Sequence, residues 1–195
     1  MPKGKRKSET PKAWIYVDTC ILQGALSLRN DVDVVFLNKA KEKGWKIITS
    51  IHALMELLDI AKDRRFLMNS VIDDWVDVST FLRKRREMDL NRNDFDKIGK
   101  IIDKFLKKYE FINFMHIEFD VWDYVKYFVE RSNIHSSDAL HLASAIQWGC
   151  HVLITHDTSF IKEANRLLKE DGYNKLKVCD VGNVEDTLNE ICSKE

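Results

Sequence analysis

The chain has 195 residues, enough for one domain with room for an insertion. It is 45% apolar and 32% charged, which excludes global disorder, and 31 basic residues balance 31 acidic ones, which excludes an overall basic field for nucleic acid. Cys20, Cys150, Cys179 and Cys192 form no Cys-x-x-Cys pair, so a zinc ribbon or thioredoxin-like motif is excluded, and buried free thiols in a reducing cytosol are expected.

Residues 1–12 hold both prolines and Lys3, Lys5, Arg6, Lys7 and Lys12, and read as a flexible basic tail ahead of a domain at 13–195. No apolar stretch follows that charge, so it is not a signal peptide, and no run approaches the roughly 18 apolar residues of a membrane span. The expectation is a cytoplasmic protein without membrane attachment. A strand is predicted at about 13–17, a helix at 31–43 closed by Gly44, a strand over Trp45 to Thr49, and a helix capped by Ser50 that runs to about Lys62.

From about 64 to 110 the pattern is helical and highly charged, and it predicts an insertion of two antiparallel helices, Arg64 to Glu87 and Asp94 to Lys108. The run Arg83-Lys84-Arg85-Arg86 is either a solvated helix face or a phosphate contact. Trp75, Phe81, Phe95, Ile98 and Phe105 offer either a dimer or partner surface or plain packing against the core. Next come a short strand at Phe111 to Met115, a helix at Val121 to Glu130, and a helix from Ser136 to Trp148 ended by Gly149. A strand at Cys150 to Ile154, a helix at Phe160 to Lys169, a strand at Lys177 to Cys179 and a last helix capped by Asn183 complete the chain. Short apolar strands alternating with helices indicate an α/β fold, a parallel sheet covered on both faces, with ligands outside the carboxyl ends of the strands.

Four acidic residues fall at strand ends or on helices. Asp18 follows the apolar run Trp14-Ile15-Tyr16-Val17, and Asp157 follows Val152-Leu153-Ile154-Thr155-His156. Each is either a metal ligand or an N-cap, with Ser159 a competing cap at the second. Glu56 lies in a helix whose residues Ile51, Ala53, Leu54, Met55, Leu57, Leu58, Ile60 and Ala61 are apolar around most of the circumference. It therefore needs either a cation or an exposed polar stripe with His52 and Asp59. Asp138 opens a helix of small and apolar residues, as a ligand or as a partner for the helix dipole. His141, one turn on, is either a substrate-phosphate contact or a satisfied core residue. Thr155 is placed to hydrogen-bond a carboxylate. Oxygen-rich clusters of this kind suit hard cations such as Mg2+ or Mn2+.

The order Tyr16-Val17-Asp18-Thr19, Thr49-Ser50 with Glu56, Ser137-Asp138-Ala139-Leu140-His141-Leu142-Ala143-Ser144-Ala145, and Thr155-His156-Asp157-Thr158-Ser159-Phe160 resembles the PIN-domain nucleases. Within these it is most similar to the VapC-type toxins and their prokaryotic relatives, over about residues 13–182. The segment at 64–110 is longer and more helical than in compact members. The resemblance implies a three-layer α/β/α, Rossmann-like PIN domain with a central parallel sheet. It also implies a hydrolase, an Mg2+- or Mn2+-dependent ribonuclease cleaving RNA phosphodiesters. Asp18, Glu56, Asp138 and Asp157 would be the catalytic and metal-binding residues, with Thr19 and Thr155 supporting them. As a toxin it would meet an antitoxin protein and pair as a homodimer; the alternatives are an RNA-processing nuclease and an inactive RNA-binding or assembly module. A receiver domain wants an acidic pair after the first strand and a dehalogenase-type phosphatase wants Asp-x-Asp, and Asp18-Thr19-Cys20 supplies neither.

Overall fold

Alternation within each short strand sends successive side chains to opposite faces of the sheet, and here both faces are apolar. The strands are β1 (Trp14–Val17), β2 (Lys46–Ser50), β3 (Asn113–Met115), β4 (Val152–Ile154) and β5 (Lys177–Cys179). All pair in parallel, in the order β3-β2-β1-β4-β5. Ile15 pairs with Ile47 and Val152, and the next row sets Tyr16 beside Ile48 and Leu153. Both rows are fully buried. A computed structural model describes residues 13–27, 31–73, 77, 79, 80, 82 and 90–192. The expected tail at 1–12, Trp75, Phe81 and the basic run Arg83 to Arg86 lie outside the described residues.

Ile15, Val17, Ile47, Val152 and Ile154 face one core. It is closed by α1 (Thr19–Ser27), α2 (Asp31–Lys43), α3 (Ile51–Leu67), α4 (Arg92–Lys108) and α8 (Val184–Cys192). Tyr16, Ile48, Leu153 and Val178 face the other, under α5 (Val121–Arg131), α6 (Ser136–Gln147) and α7 (Thr158–Glu170). The result is the expected three-layer α/β/α arrangement around a parallel sheet. Gly44 and Gly149, at φ 66° and 62°, end α2 and α6 in the left-handed region that a side chain disfavours.

Several expected boundaries move: β3 starts at Asn113 rather than Phe111, and β4 at Val152 rather than Cys150. The helix begun at Ser50, whose Oγ accepts from the Ala53 amide, does not stop near Lys62 but runs through Leu67 into a π-helical turn, Met68–Asp73. Lys62-Asp63-Arg64-Arg65 holds no glycine or proline to end it, so no separate helix starts at Arg64. The last helix follows directly on a 3₁₀ turn, Val181–Asn183, which Asp180 caps by accepting from the Gly182 amide, so Asn183, the expected cap, ends that turn immediately before the helix.

The helical segment packs on the main body. Ile98, Ile102 and Phe105 of α4 join the first core, while Phe95 and Ile101 stay exposed. Buried Asp94 closes a capping box with Asn91 and accepts from Arg65 Nε at 2.7 Å and Asn69 Nδ2 at 3.0 Å, so the start of α4 is tied to the end of α3. The Arg65 hydrogen bond is the main reason the Asp94 carboxyl titrates below its ordinary range. No helix among the described residues is long and apolar enough to cross a membrane.

Leu153→Ala, at a fully buried site on a central strand, is expected to lower unfolding free energy by about 2–5 kcal/mol. Leu58→Ala, on the exposed side of α3, should change it by no more than about 0.5 kcal/mol. Urea unfolding followed by circular dichroism measures both.

Candidate metal centre

Strand order turns around between β1 and β4, so the loops leaving these neighbours diverge and open a cleft at their carboxyl ends. Asp18 is the first residue beyond β1 and Asp157 lies in the loop after β4; α3 carries Glu56 and α6 carries Asp138. With Thr19, His141 and Thr155 they line one cleft of about 440 Å³. All six sequence-predicted residues therefore meet, but their surroundings differ.

Asp18 is buried and fixed. One oxygen, Oδ1, accepts from the Thr19 amide at 2.5 Å; the other, Oδ2, accepts from Thr155 Oγ1 at 2.6 Å and from Cys20 Sγ at 3.3 Å. The Cys20 thiol is pushed up to about 12, chiefly by burial and then by the Asp18 charge, so it is not a nucleophile. Asp157 is both a cleft residue and the N-cap of α7, accepting from the Phe160 amide at 2.9 Å and from Ser159 Oγ at 2.8 Å. Ser159 thus supports the cap instead of competing with it. The Phe160 bond is the largest cause of a lowered Asp157 pKa.

Asp138 is the exception. Its half-buried carboxylate receives no hydrogen bond from the described residues, and its pKa is raised by burial and then by the charges of Asp18 and Asp157. Three carboxylates face one another here with no lysine or arginine among the residues that line the cleft, and His141, the one basic side chain there, lies against Asp18 and Glu56. Such a group of hard oxygens suits a divalent cation, and the unpartnered carboxylate gives that cation a ligand.

Of the two expectations for Glu56, the structure favours the polar stripe: Ile51, Met55 and Leu58 of its helix are exposed, and protein groups, His52 among them, surround the carboxylate. Thr19 Oγ1 donates to Oε2 and Ser137 Oγ to Oε1. His141 Nε2 lies 2.9 Å from Oε2, and His52 Nε2 lies 3.4 Å from Oε1. Burial by itself would raise the Glu56 pKa, but bonds from His141, His52, Ser137 and Thr19 together hold it far below the ordinary carboxylate range. His141 is almost fully buried, with Nδ1 2.9 Å from Tyr16 Oη and Nε2 3.3 Å from Asp18 Oδ1. Burial would lower its pKa; Glu56 and Asp18 outweigh burial and raise it.

His52 stands beside Glu56 as the polar-stripe alternative expected, four residues apart on one helix, whereas the contacts of Ser137 and Tyr16 were not anticipated from the sequence. Beside the cleft, His156 bridges Asp33 Oδ1 at 2.8 Å and Asp180 Oδ2 at 2.9 Å, and so joins the β4 loop to α2 and to the end of β5. A second groove, of about 470 Å³, is lined by Tyr124, Tyr127, Phe128 and Tyr173; its Asp171 accepts from Tyr127 Oη at 2.7 Å through Oδ1, while Oδ2 has no hydrogen-bond partner among the described residues.

The family profile of the PIN domain matches residues 15–165. The chain belongs to the PIN domain family. That match takes in Asp18, Glu56, Asp138 and Asp157, and PIN domains are generally metal-dependent nucleases acting on RNA or DNA. Compared with curated proteins, the chain matches none.

The charge of this PIN cleft has a sign that can be tested. The raised pKa of Asp138 means that the folded state binds its proton more tightly than the unfolded state does. Its contribution to stability is complete below the ordinary value of 3.8 and is lost as pH rises through the raised folded value. Asp138→Asn removes that loss. At neutral pH in EDTA the variant is expected to melt above the parent, and a divalent cation should stabilise the parent more than the variant. Differential scanning fluorimetry with and without the ion reads both.

Proposed function

We propose that this PIN domain is a metal-dependent endoribonuclease of the VapC type, a cytoplasmic hydrolase of RNA phosphodiester bonds and the toxin of a toxin–antitoxin pair. The observation that carries the reading is the uncompensated carboxylate of Asp138, held against Asp18 and Asp157 in an open cleft with room for a phosphodiester. Asp18, Asp138 and Asp157 would hold Mg2+ or Mn2+, with Glu56 completing the acidic set. A bound ion supplies an activated water and neutralises charge on the phosphoryl oxygens, which is the chemistry phosphodiester hydrolysis needs.

The chain's own part is to position. Thr155 and the Thr19 amide fix the two oxygens of Asp18, and Thr19 Oγ1 fixes Glu56. The Phe160 amide and Ser159 fix Asp157. No cysteine serves as a nucleophile in this reading: Cys20, in the cleft, holds its proton to about pH 12. The VapC assignment is supported by the run from Ser137 to Ala145 and by Thr155 to Phe160. An antitoxin would place a segment in the same cleft. Exposed Phe95 and Ile101 on α4 support an apolar surface for a second copy of the chain.

Labelled RNA incubated with the parent, Asp18→Asn and Asp138→Asn in Mg2+, Mn2+ or EDTA tests the chemistry. Cleavage should fall at least roughly 100-fold in each variant and vanish on chelation. Cleavage that survives EDTA would overturn the metal mechanism. An inactive parent that still binds RNA would favour the binding module. For the biological role, induced expression of the parent in bacterial cells should arrest growth, and Asp138→Asn should relieve the arrest.

A further inference from the structure

Two imidazoles converge on Glu56, and a purely carboxylate centre has no need of them. His52 lies one turn before Glu56 on α3, and His141 reaches the same carboxylate from α6. Their ring centroids are 5.4 Å apart. One ligand atom from each of His52, Glu56 and His141 can be chosen so that all lie within 4.8 Å of one another. An ion bound at 2.0–2.2 Å from each ligand holds neighbouring ligand atoms about 3–4.4 Å apart. The observed separations, 2.9 Å from His141 to Glu56 and 3.4 Å from His52 to Glu56, approach that spacing, and Asp18 Oδ1 lies 3.3 Å from His141 Nε2.

The outer contacts prepare His141 for the role. Fully buried Tyr16 gives its hydroxyl proton to Ser50 Oγ at 2.9 Å, so its oxygen is left to accept from His141 Nδ1–H, also at 2.9 Å. With Nδ1 so held, Nε2 is the nitrogen that faces Glu56 and Asp18, and an ion bound there would take the place of the Nε2 proton that the ring shares with Glu56. The arrangement, a ligating ring nitrogen with its other nitrogen held by a buried hydroxyl, is the usual support of a metal-binding histidine. His52 Nε2 lies 2.9 Å from Ser137 Oγ, whose own proton goes to Glu56, so Nε2 carries a proton that an ion bound there would displace.

We infer that His52, Glu56 and His141 form an imidazole-bearing seat for a divalent first-row transition ion, next to the three aspartates and sharing Asp18 with them. This deepens the proposed function and rests on it in taking the cleft as a cation site. Two histidines and a glutamate suit Zn2+ or Mn2+, whereas Mg2+ prefers oxygen ligands alone. The carboxylate centre and the seat would thus select differently between ions within one cleft.

Metal-free full-length protein, titrated calorimetrically with Zn2+, Mn2+ and Mg2+ and loaded with Mn2+ for pulsed electron paramagnetic resonance, tests the inference. Nitrogen couplings from imidazole should appear on the bound Mn2+, and Zn2+ should bind at least about 100-fold more tightly than Mg2+. His52 is about a quarter exposed, so His52→Gln spares the core. It should weaken Zn2+ at least about tenfold and reduce the nitrogen signal. Mn2+ bound without nitrogen coupling, or Zn2+ affinity unchanged in His52→Gln, would overturn the seat. If Asp138→Asn still abolishes Mg2+ binding in that case, the carboxylate centre stands and only the seat falls. If the parent binds none of the three ions, both fall.

Discussion

Like charge held at the turning point of the sheet is the constraint on which this structure depends. Asp18, Asp138 and Asp157 approach from one strand end and two helix starts, and the charges of Asp18 and Asp157 raise the cost of ionising Asp138. A fold can keep such a group only if the backbone around it is firmly set. The two buried sheet faces do that, and local hydrogen bonds finish the task for Asp18 and Asp157. Asp138 is left without such bonds, so the burden of neutralising it passes to something from outside the chain.

The contrast with Glu56 divides the cleft in chemical terms. Thr19, Ser137, His52 and His141 surround that carboxylate, so it is held ionised by the chain itself before any ion arrives. Asp138, a few residues along the helix that also carries His141, has nothing comparable. One side of the cleft has protein partners for its charge and the other, at Asp138, has none among the described residues. A count of acidic residues misses that asymmetry.

Much of this was legible in the chain. The strands announce themselves because each is a short apolar run, and Gly44 and Gly149 mark helix ends by their backbone freedom. The acidic residues could be listed because strand-end position is a property of sequence. Side-chain partnership is not. Nothing near His141 in the chain indicates that its ring reaches Tyr16 on one side and Glu56 on the other, since those contacts span 125 and 85 residues. In α3 the sequence showed which residues are apolar, while packing decides which are covered, and Met55 and Leu58 are not. The helix also outran its expected end because no breaker stands at Lys62 to Arg65, and absence of a stop signal is harder to notice than its presence.

His156 gives the loop after β4 a mechanical character. It sits between Thr155 and Asp157, and its ring is bolted at both nitrogens, to Asp33 on α2 and to Asp180 beyond β5. The loop is therefore a short beam clamped at its midpoint, with a cleft residue on either side of the clamp. Such a beam has little freedom left to lose when something is gripped beside it, so much of the entropy of ordering this rim of the cleft is spent during folding rather than at each encounter.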